Sequence, residues 1–107
     1  PALHPLDLMR ACFPGGSITG CPKLRAMEVI AELEKKPRGI YTGSIGYFAA
    51  NGDFDFNIAI RTLNVLSGII TAQVGGAIVY DSDPFQEYSE TLSKGKSLFE
   101  CISCIPI

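Results

Sequence analysis

Phe54-Asp55-Phe56-Asn57-Ile58-Ala59-Ile60-Arg61-Thr62-Leu63-Asn64-Val65-Leu66 is the stretch on which the fold class turns. Phe54, Phe56, Ile58 and Ile60 point one way along an extended chain, and Asp55, Asn57, Ala59 and Arg61 point the other. The alternation predicts a β-strand running from Phe54 to Leu66. Asn51-Gly52-Asp53 before it is a turn signal, so a hairpin is expected. Its other arm is Ile40 to Ala50, where Ile40, Tyr41, Thr42, Ile45, Tyr47 and Phe48 favour extended backbone. Gly43 and Gly46 interrupt that arm, and a glycine within a strand marks a bulge or a close approach to the backbone. On the far side Ser67-Gly68 turns the chain into a third strand, Ile69 to Val74. Gly75-Gly76 then breaks the pattern before Ile78, Val79 and Tyr80. The prediction is an antiparallel meander.

Helices flank it. Residues 5 to 12 place Leu6 and Met9 at helical spacing. Cys21 to Glu34 carries an apolar stripe of Leu24, Met27 and Ile30, with Lys23, Glu32, Glu34 and Lys35 mostly off it. Lys35, Lys36, Pro37 and Arg38-Gly39 end that helix, with basic residues at its C-terminus. Asp83 caps a last helix and Pro84 opens it, running to about Cys101. On that helix Phe85, Tyr88, Leu92 and Phe99 gather on one face. Glu87, Glu90 and Lys94 lie within about 60° of each other on another. The fold class is α+β.

The chain of 107 residues is 47% hydrophobic with a formal net charge of -2. That length suits one small domain with a modest core. The charge offers no basic footprint for nucleic acid. No apolar run reaches membrane-spanning length, and no secretory pattern is present. Cys12, Cys21, Cys101 and Cys104 include a single CxxC, and His4 is the only histidine. This neither makes a zinc pattern nor follows a thioredoxin-like strand, so ordinary thiols in a reducing cytoplasm are expected.

Several residues invite chemistry. Phe13-Pro14-Gly15-Gly16-Ser17-Ile18-Thr19-Gly20-Cys21-Pro22-Lys23 is a glycine-rich loop entering a helix, with Thr19 or Gly20 as the cap and Pro22 in its first turn. Its amides could attract an anion. Gly15 and Gly20 have the phosphate-loop spacing, but Cys21 follows instead of lysine, so a carboxylate is the better anion. A loop-to-helix corner with no ligand explains the stretch equally well. Glu87 and Glu90 present hard oxygens that suit Mg²⁺. The plainer reading is a solvated acidic face with a Glu90–Lys94 pair. Arg61 could grip a carboxylate with its guanidinium fork, or pair on the sheet surface with Asp55. Tyr41 could donate to the same anion, and Gly75-Gly76 could offer amides or form a bulge.

Taken together, Phe13 to Ala26, Tyr41 to Tyr47, Ile60-Arg61-Thr62, Gly75-Gly76 and Asp81 to Lys94 resemble the C-terminal part of the chorismate-binding enzymes. That family includes anthranilate synthase component I, aminodeoxychorismate synthase component I and the isochorismate synthases. The form Gly-Gly-Ser-Ile-Thr-Gly resembles the aminodeoxychorismate branch more than the anthranilate branch. The resemblance implies a portion of a two-sheet sandwich with helices outside. It implies that Tyr41, Arg61 and the backbone at Gly75 and Gly76 bind the enolpyruvyl carboxylate of chorismate. Ser17 lies near the ring carboxylate, Lys94 lines the pocket, and Glu90 with its neighbour Glu87 binds Mg²⁺. Chorismate is a dianion, so cationic and amide partners at both ends would bind and orient it. Cys21 and Ala77 depart from the alanine and glycine usual there.

Family catalytic domains are more than twice as long. The resemblance puts the nucleophile, the general acid and the other metal glutamate upstream, so no catalytic residue is assigned here. These residues alone are expected to be inactive and to need the remainder of the catalytic domain. The implied partner is a glutamine amidotransferase subunit or domain that supplies ammonia for 4-amino-4-deoxychorismate and folate biosynthesis. Anthranilate synthase component I, on the tryptophan route, is the rival. A non-catalytic binding module with the same fold is the alternative from another class.

Overall fold

The computed structural model describes residues 3–104. They form two compact units, one through Ile58 and one from Ala59 onward. Helices and antiparallel strands make up both, so the α+β class stands.

In the first unit, α1 spans Pro5–Cys12. His4 caps it, its Nδ1 accepting from the Leu6 amide at 3.2 Å. That is the local use of the only histidine. The glycine loop holds an unforeseen turn of helix, α2, Gly16–Thr19. It ends at Gly20, whose φ of 105° suits glycine. The helix α3, Lys23–Leu33, starts two residues later than expected, because Pro22 has extended backbone and occupies the N-cap. Neither Thr19 nor Gly20 caps it.

The first arm of the hairpin is shorter than the sequence predicts. Residues 40–43 form a turn, and β1 is Ser44–Phe48. It pairs with β2, Phe54–Ile58, in a register that sets Gly46 opposite Phe56 and Phe48 opposite Phe54. Phe48 and Phe56 meet edge to face, with centroids 5.0 Å apart, and Phe54 lies 6.0 Å from Phe48. Such aromatic pairs contribute about 0.5–1.5 kcal/mol beyond area burial. A Cβ at Gly46 would overlap the Phe56 ring and the Asp55 carbonyl oxygen. The glycine in the strand therefore marks a close approach, and the thing that approaches is a phenyl ring.

The long strand expected from Phe54 to Leu66 is split. Its alternation continues through Ile60, but pairing stops at Ile58 and Arg61 takes φ 51°, a left-handed conformation that breaks the extended run. Beyond it β3, Leu63–Leu66, pairs with β4, Ile69–Ala72, around a Ser67-Gly68 turn with φ of 51° and 78°. The meander is thus two separate two-stranded hairpins.

Helix α4, Pro84–Ser103, completes the second unit. Asp83 caps it by accepting from the Gln86 amide at 2.9 Å. Its packed side is not the aromatic one. Phe85, Tyr88, Leu92 and Phe99 are exposed, whereas Gly95 and Leu98 are buried. A Cβ added at Gly95 would come within 3.4 Å of Val74 Cγ1. Small residues let the helix approach the segment after β4, and bulkier ones are left outside.

The Gly46 contact makes a direct prediction. Gly46→Val should destabilise the protein by about 1–3 kcal/mol or more, the cost of overpacking. Gly16→Ala, where an added Cβ meets nothing within 4 Å, should not. Urea denaturation of the two variants compares them, and equal midpoints would contradict the close approach.

Candidate functional site

The eight residues singled out from the sequence fall into both units, and each group has its own local geometry. Ser17 and Tyr41 lie in the first unit. Ser17 is exposed on α2. Three amides of the loop are taken up within it. Ile18 and Thr19 donate to the Gly15 carbonyl at 3.0 and 3.1 Å, and Gly20 donates to Gly16 at 2.7 Å. The loop is a self-bonded turn with the Ser17 side chain outward.

Tyr41 sits in the turn between α3 and β1, half-buried beside an open cleft of about 270 Å³. Phe13, Ile18, Met27 and Ile30 supply much of its apolar wall, and Arg38 and Thr42 also line it. The turn is tied to the end of α3. Arg38 forks onto Glu34, its Nε donating to Oε2 at 2.8 Å and its Nη2 to Oε1. Its Nη1 donates to Thr42 Oγ1 at 3.2 Å. The Arg38 hydrogen bonds hold the Glu34 carboxyl below the usual glutamate range against the opposing effect of burial. The same pairing raises the Arg38 guanidinium.

The second unit holds Arg61, Gly75, Gly76, Glu87, Glu90 and Lys94. Three of them, Gly76, Glu87 and Lys94, meet around one point. A Cβ added at Gly76 would lie 3.2 Å from Glu87 Oε2 and 3.9 Å from Lys94 Nζ, with Thr91 Oγ1 between them at 3.7 Å. Glu87, Thr91 and Lys94 lie on one face of α4, so they meet the Gly76 backbone together. Glu87 is steadied by Ser82, whose hydroxyl donates to Oε1 at 2.6 Å and accepts from the Val79 amide at 3.0 Å. Lys94 pairs with Glu90 one turn back, as the sequence suggested. Gly75 is the exposed neighbour in the same segment.

Arg61 is exposed in the break between the hairpins, not on a strand face. Within the second unit Arg61 has no ion pair among the described residues. Sequence reasoning missed Ser82, Thr91 and Gln73. Ser82 and Thr91 carry no signal beyond their spacing from Glu87. Gln73 has a buried side-chain oxygen with no hydrogen-bond partner, just before the glycine pair.

The donors suit a hard cation only in part. Among the described residues no group of three or more histidine, cysteine, aspartate or glutamate side chains converges. Mg²⁺ usually takes one or two carboxylates and completes its shell with water and substrate. Glu87 and Glu90 supply that number of carboxylates, with one oxygen of Glu87 held by Ser82 and one of Glu90 paired with Lys94.

The Glu34–Arg38 pair predicts an acid-sensitive turn. Folding lowers the Glu34 pKa, so the pair contributes fully above the ordinary glutamate value. The contribution is lost as pH falls through the depressed folded value. The stability gap between wild type and Glu34→Gln should therefore narrow from neutral to strongly acidic pH. Denaturation midpoints across that range measure it; a constant gap would contradict the pairing.

Comparison with known proteins matches the same pattern. Residues 1–100 match the family model described as chorismate binding enzyme. A Synechocystis protein named anthranilate synthase component I-like protein is 52% identical over 97 residues, covering 91% of this chain and 20% of its own length. The aminodeoxychorismate synthase component 1 of Escherichia coli strain K12 is 54% identical over 92 residues, 86% of this chain and 20% of that protein. The anthranilate synthase component 1 of Cereibacter sphaeroides is 50% identical over 93 residues, 87% of this chain and 19% of that protein. The chain thus spans about a fifth of the length of these relatives. With its motifs in order and nearly its whole length matched, the chain belongs to the chorismate-binding enzyme family.

Proposed function

We propose that the protein carrying this chain is an aminating chorismate enzyme. It replaces the C4 hydroxyl of chorismate by ammonia, yielding 4-amino-4-deoxychorismate and water, on the folate and para-aminobenzoate route. The geometry that best supports this is the meeting of Gly76 with Glu87, Thr91 and Lys94. It sets a bare backbone segment beside carboxylate and ammonium groups, where a dianionic substrate and a cation could be held together. The loop form Gly15-Gly16-Ser17-Ile18-Thr19-Gly20 supports the aminodeoxychorismate branch, as do the names of relatives from Streptomyces lividans and Escherichia coli.

Each residue has a role in this reading. Arg61 and Tyr41 bind the enolpyruvyl carboxylate, and the Gly75-Gly76 backbone faces the same end. Ser17 faces the ring carboxylate, and Lys94 places positive charge in the pocket. A fork of guanidinium donors fixes orientation as well as affinity. Glu87 and Glu90 would hold Mg²⁺. When bound, the ion would supply charge that screens the ring carboxylate. Ser82 keeps Glu87 turned toward the glycine segment. The remainder of the catalytic domain supplies nucleophile and general acid, and a glutamine amidotransferase subunit or domain supplies ammonia. No helix among the described residues is long and apolar enough to cross a membrane. Four free, exposed thiols support a reducing cytoplasmic setting.

The anthranilate reading has an observation of its own, the 50% identity to an anthranilate synthase component 1. The full-length polypeptide incubated with chorismate, Mg²⁺ and ammonia distinguishes the two. We expect 4-amino-4-deoxychorismate; anthranilate with released pyruvate would replace this proposal by its rival, and no turnover would favour a binding module. Gly76→Ala in the same polypeptide should lower kcat/KM by about ten- to a hundredfold, because its methyl displaces Glu87 from the substrate side. Unchanged kinetics would remove the glycine contact from the site.

A further inference from the structure

The segment that carries Tyr41 is strained, and it is held. Thr42 has φ 61°. A left-handed backbone is unusual for any residue with a side chain and a true outlier for a β-branched one. Such a conformation persists only where its surroundings impose it. Here the surroundings are a chain of hydrogen bonds that begins at a helix end. Glu34 is the C-cap of α3, its amide donating to the Ile30 carbonyl at 2.8 Å. Its carboxylate takes two donors of Arg38, and a third donor of Arg38 reaches Thr42 Oγ1. The Thr42 hydroxyl passes its own proton to the Tyr41 carbonyl at 2.6 Å. The Tyr41 amide returns to the Arg38 carbonyl at 3.1 Å. Arg38 thus grips the turn on both sides of Tyr41, once through its backbone and once through its side chain.

We propose that Arg38 is a positioning residue: with Glu34 it clamps Thr42 in its left-handed conformation and so fixes the direction in which Tyr41 leaves the turn. Where this concerns substrate, it rests on the reading of Tyr41 as a chorismate contact. Arg38 itself touches no reacting group in that scheme. Its planar fork is needed because three donors serve three acceptor atoms on two residues in fixed directions, which a lysine ammonium does not reproduce. The second residue of the clamp, Thr42, is needed for its hydroxyl, which accepts and donates at once.

The full-length polypeptide with selectively labelled threonine tests the clamp without ligand, by the Thr42 Cα and Cβ chemical shifts. Arg38→Ala and Arg38→Lys should both move Thr42 from left-handed to ordinary values. Thr42→Gly, which accepts positive φ without help, should make a further Arg38→Ala change nearly silent in kinetics. Chorismate kinetics give the second readout. Arg38→Ala should raise KM about tenfold, the scale of losing a hydrogen bond to a charged group, while kcat changes little. Arg38→Lys should not rescue it.

If Thr42 keeps its left-handed shifts in both Arg38 variants, the clamp is overturned. If Arg38→Lys restores KM, the fork geometry is overturned. If Thr42 moves but neither Arg38→Ala nor Tyr41→Phe alters KM, the clamp stands and the role given to Tyr41 fails. If Arg38→Ala does not fold, Thr42→Ala removes the hydroxyl as acceptor and donor together; where Tyr41→Phe raises KM, an unchanged KM in Thr42→Ala overturns the clamp.

Discussion

The close approach of α4 to the extended segment Val74–Gly76 organises the second unit. Gly95 on the helix meets Val74, and Gly76 on the segment meets Glu87, Thr91 and Lys94. A Cβ at Gly76 would press on the Glu87 carboxylate, and one at Gly95 would press on the Phe99 ring and meet Val74. Interiors are packed tightly enough that such an intrusion is felt. The same contact selects which face of α4 turns inward. Glu87, Thr91, Gly95 and Leu98 follow one another at helical spacing, and Gly95 and Leu98 are buried. Carboxylate and ammonium are thereby brought beside a bare peptide segment. Ser82, at the entry to the helix, adds the hydrogen bond that keeps Glu87 there.

The first unit is built on the same principle with a different partner. Phe56 lies over Gly46, and the phenyl cluster of Phe48, Phe54 and Phe56 sets the hairpin register. A one-residue slip would carry every ring to the other face and replace the glycine by a side chain under Phe56. Register in turn fixes where β1 begins, and β1 begins directly after the turn that holds Tyr41 and Thr42. Packing at one end of the hairpin and hydrogen bonds from Arg38 at the other therefore constrain the same few residues.

Much of this was legible from the residues. Asp83-Pro84 announced α4, and Asn51-Gly52-Asp53 announced the hairpin, because capping and turn chemistry are local. The gathering of Glu87, Glu90 and Lys94 on one face followed from helical geometry alone. The break at Arg61 was not legible. Alternation runs through Ile58, Ala59, Ile60 and Arg61 without a glycine or proline to stop it, and a left-handed arginine leaves no mark in a sequence. Which face of α4 turns inward was not legible either. Phe85, Tyr88, Leu92 and Phe99 form the larger apolar stripe, but stripe size speaks only to how much could be buried. Closeness of approach decided the packing, and small residues decide that.

The exposed aromatic stripe and the half-buried polar pair Glu87 and Thr91 then belong together. A helix that turns Glu87 and Thr91 toward a glycine segment must leave Phe85 and Tyr88 outward, since the two stripes are separated by rotation about one axis. Leu24 and Leu33 on α3 and Val65, Leu66 and Ile69 on the second hairpin are exposed in the same way. Apolar surface of this extent, on each unit by itself, is of the kind that contacts cover. A chain spanning about a fifth of its relatives' length has an ample source of cover within the family domain. Site and cover thus make opposite demands on one helix, with charge and small residues on the side that meets Gly76 and bulk on the side that does not. The sequence of α4 meets both by holding its small and charged residues one turn apart at Glu87, Thr91 and Gly95.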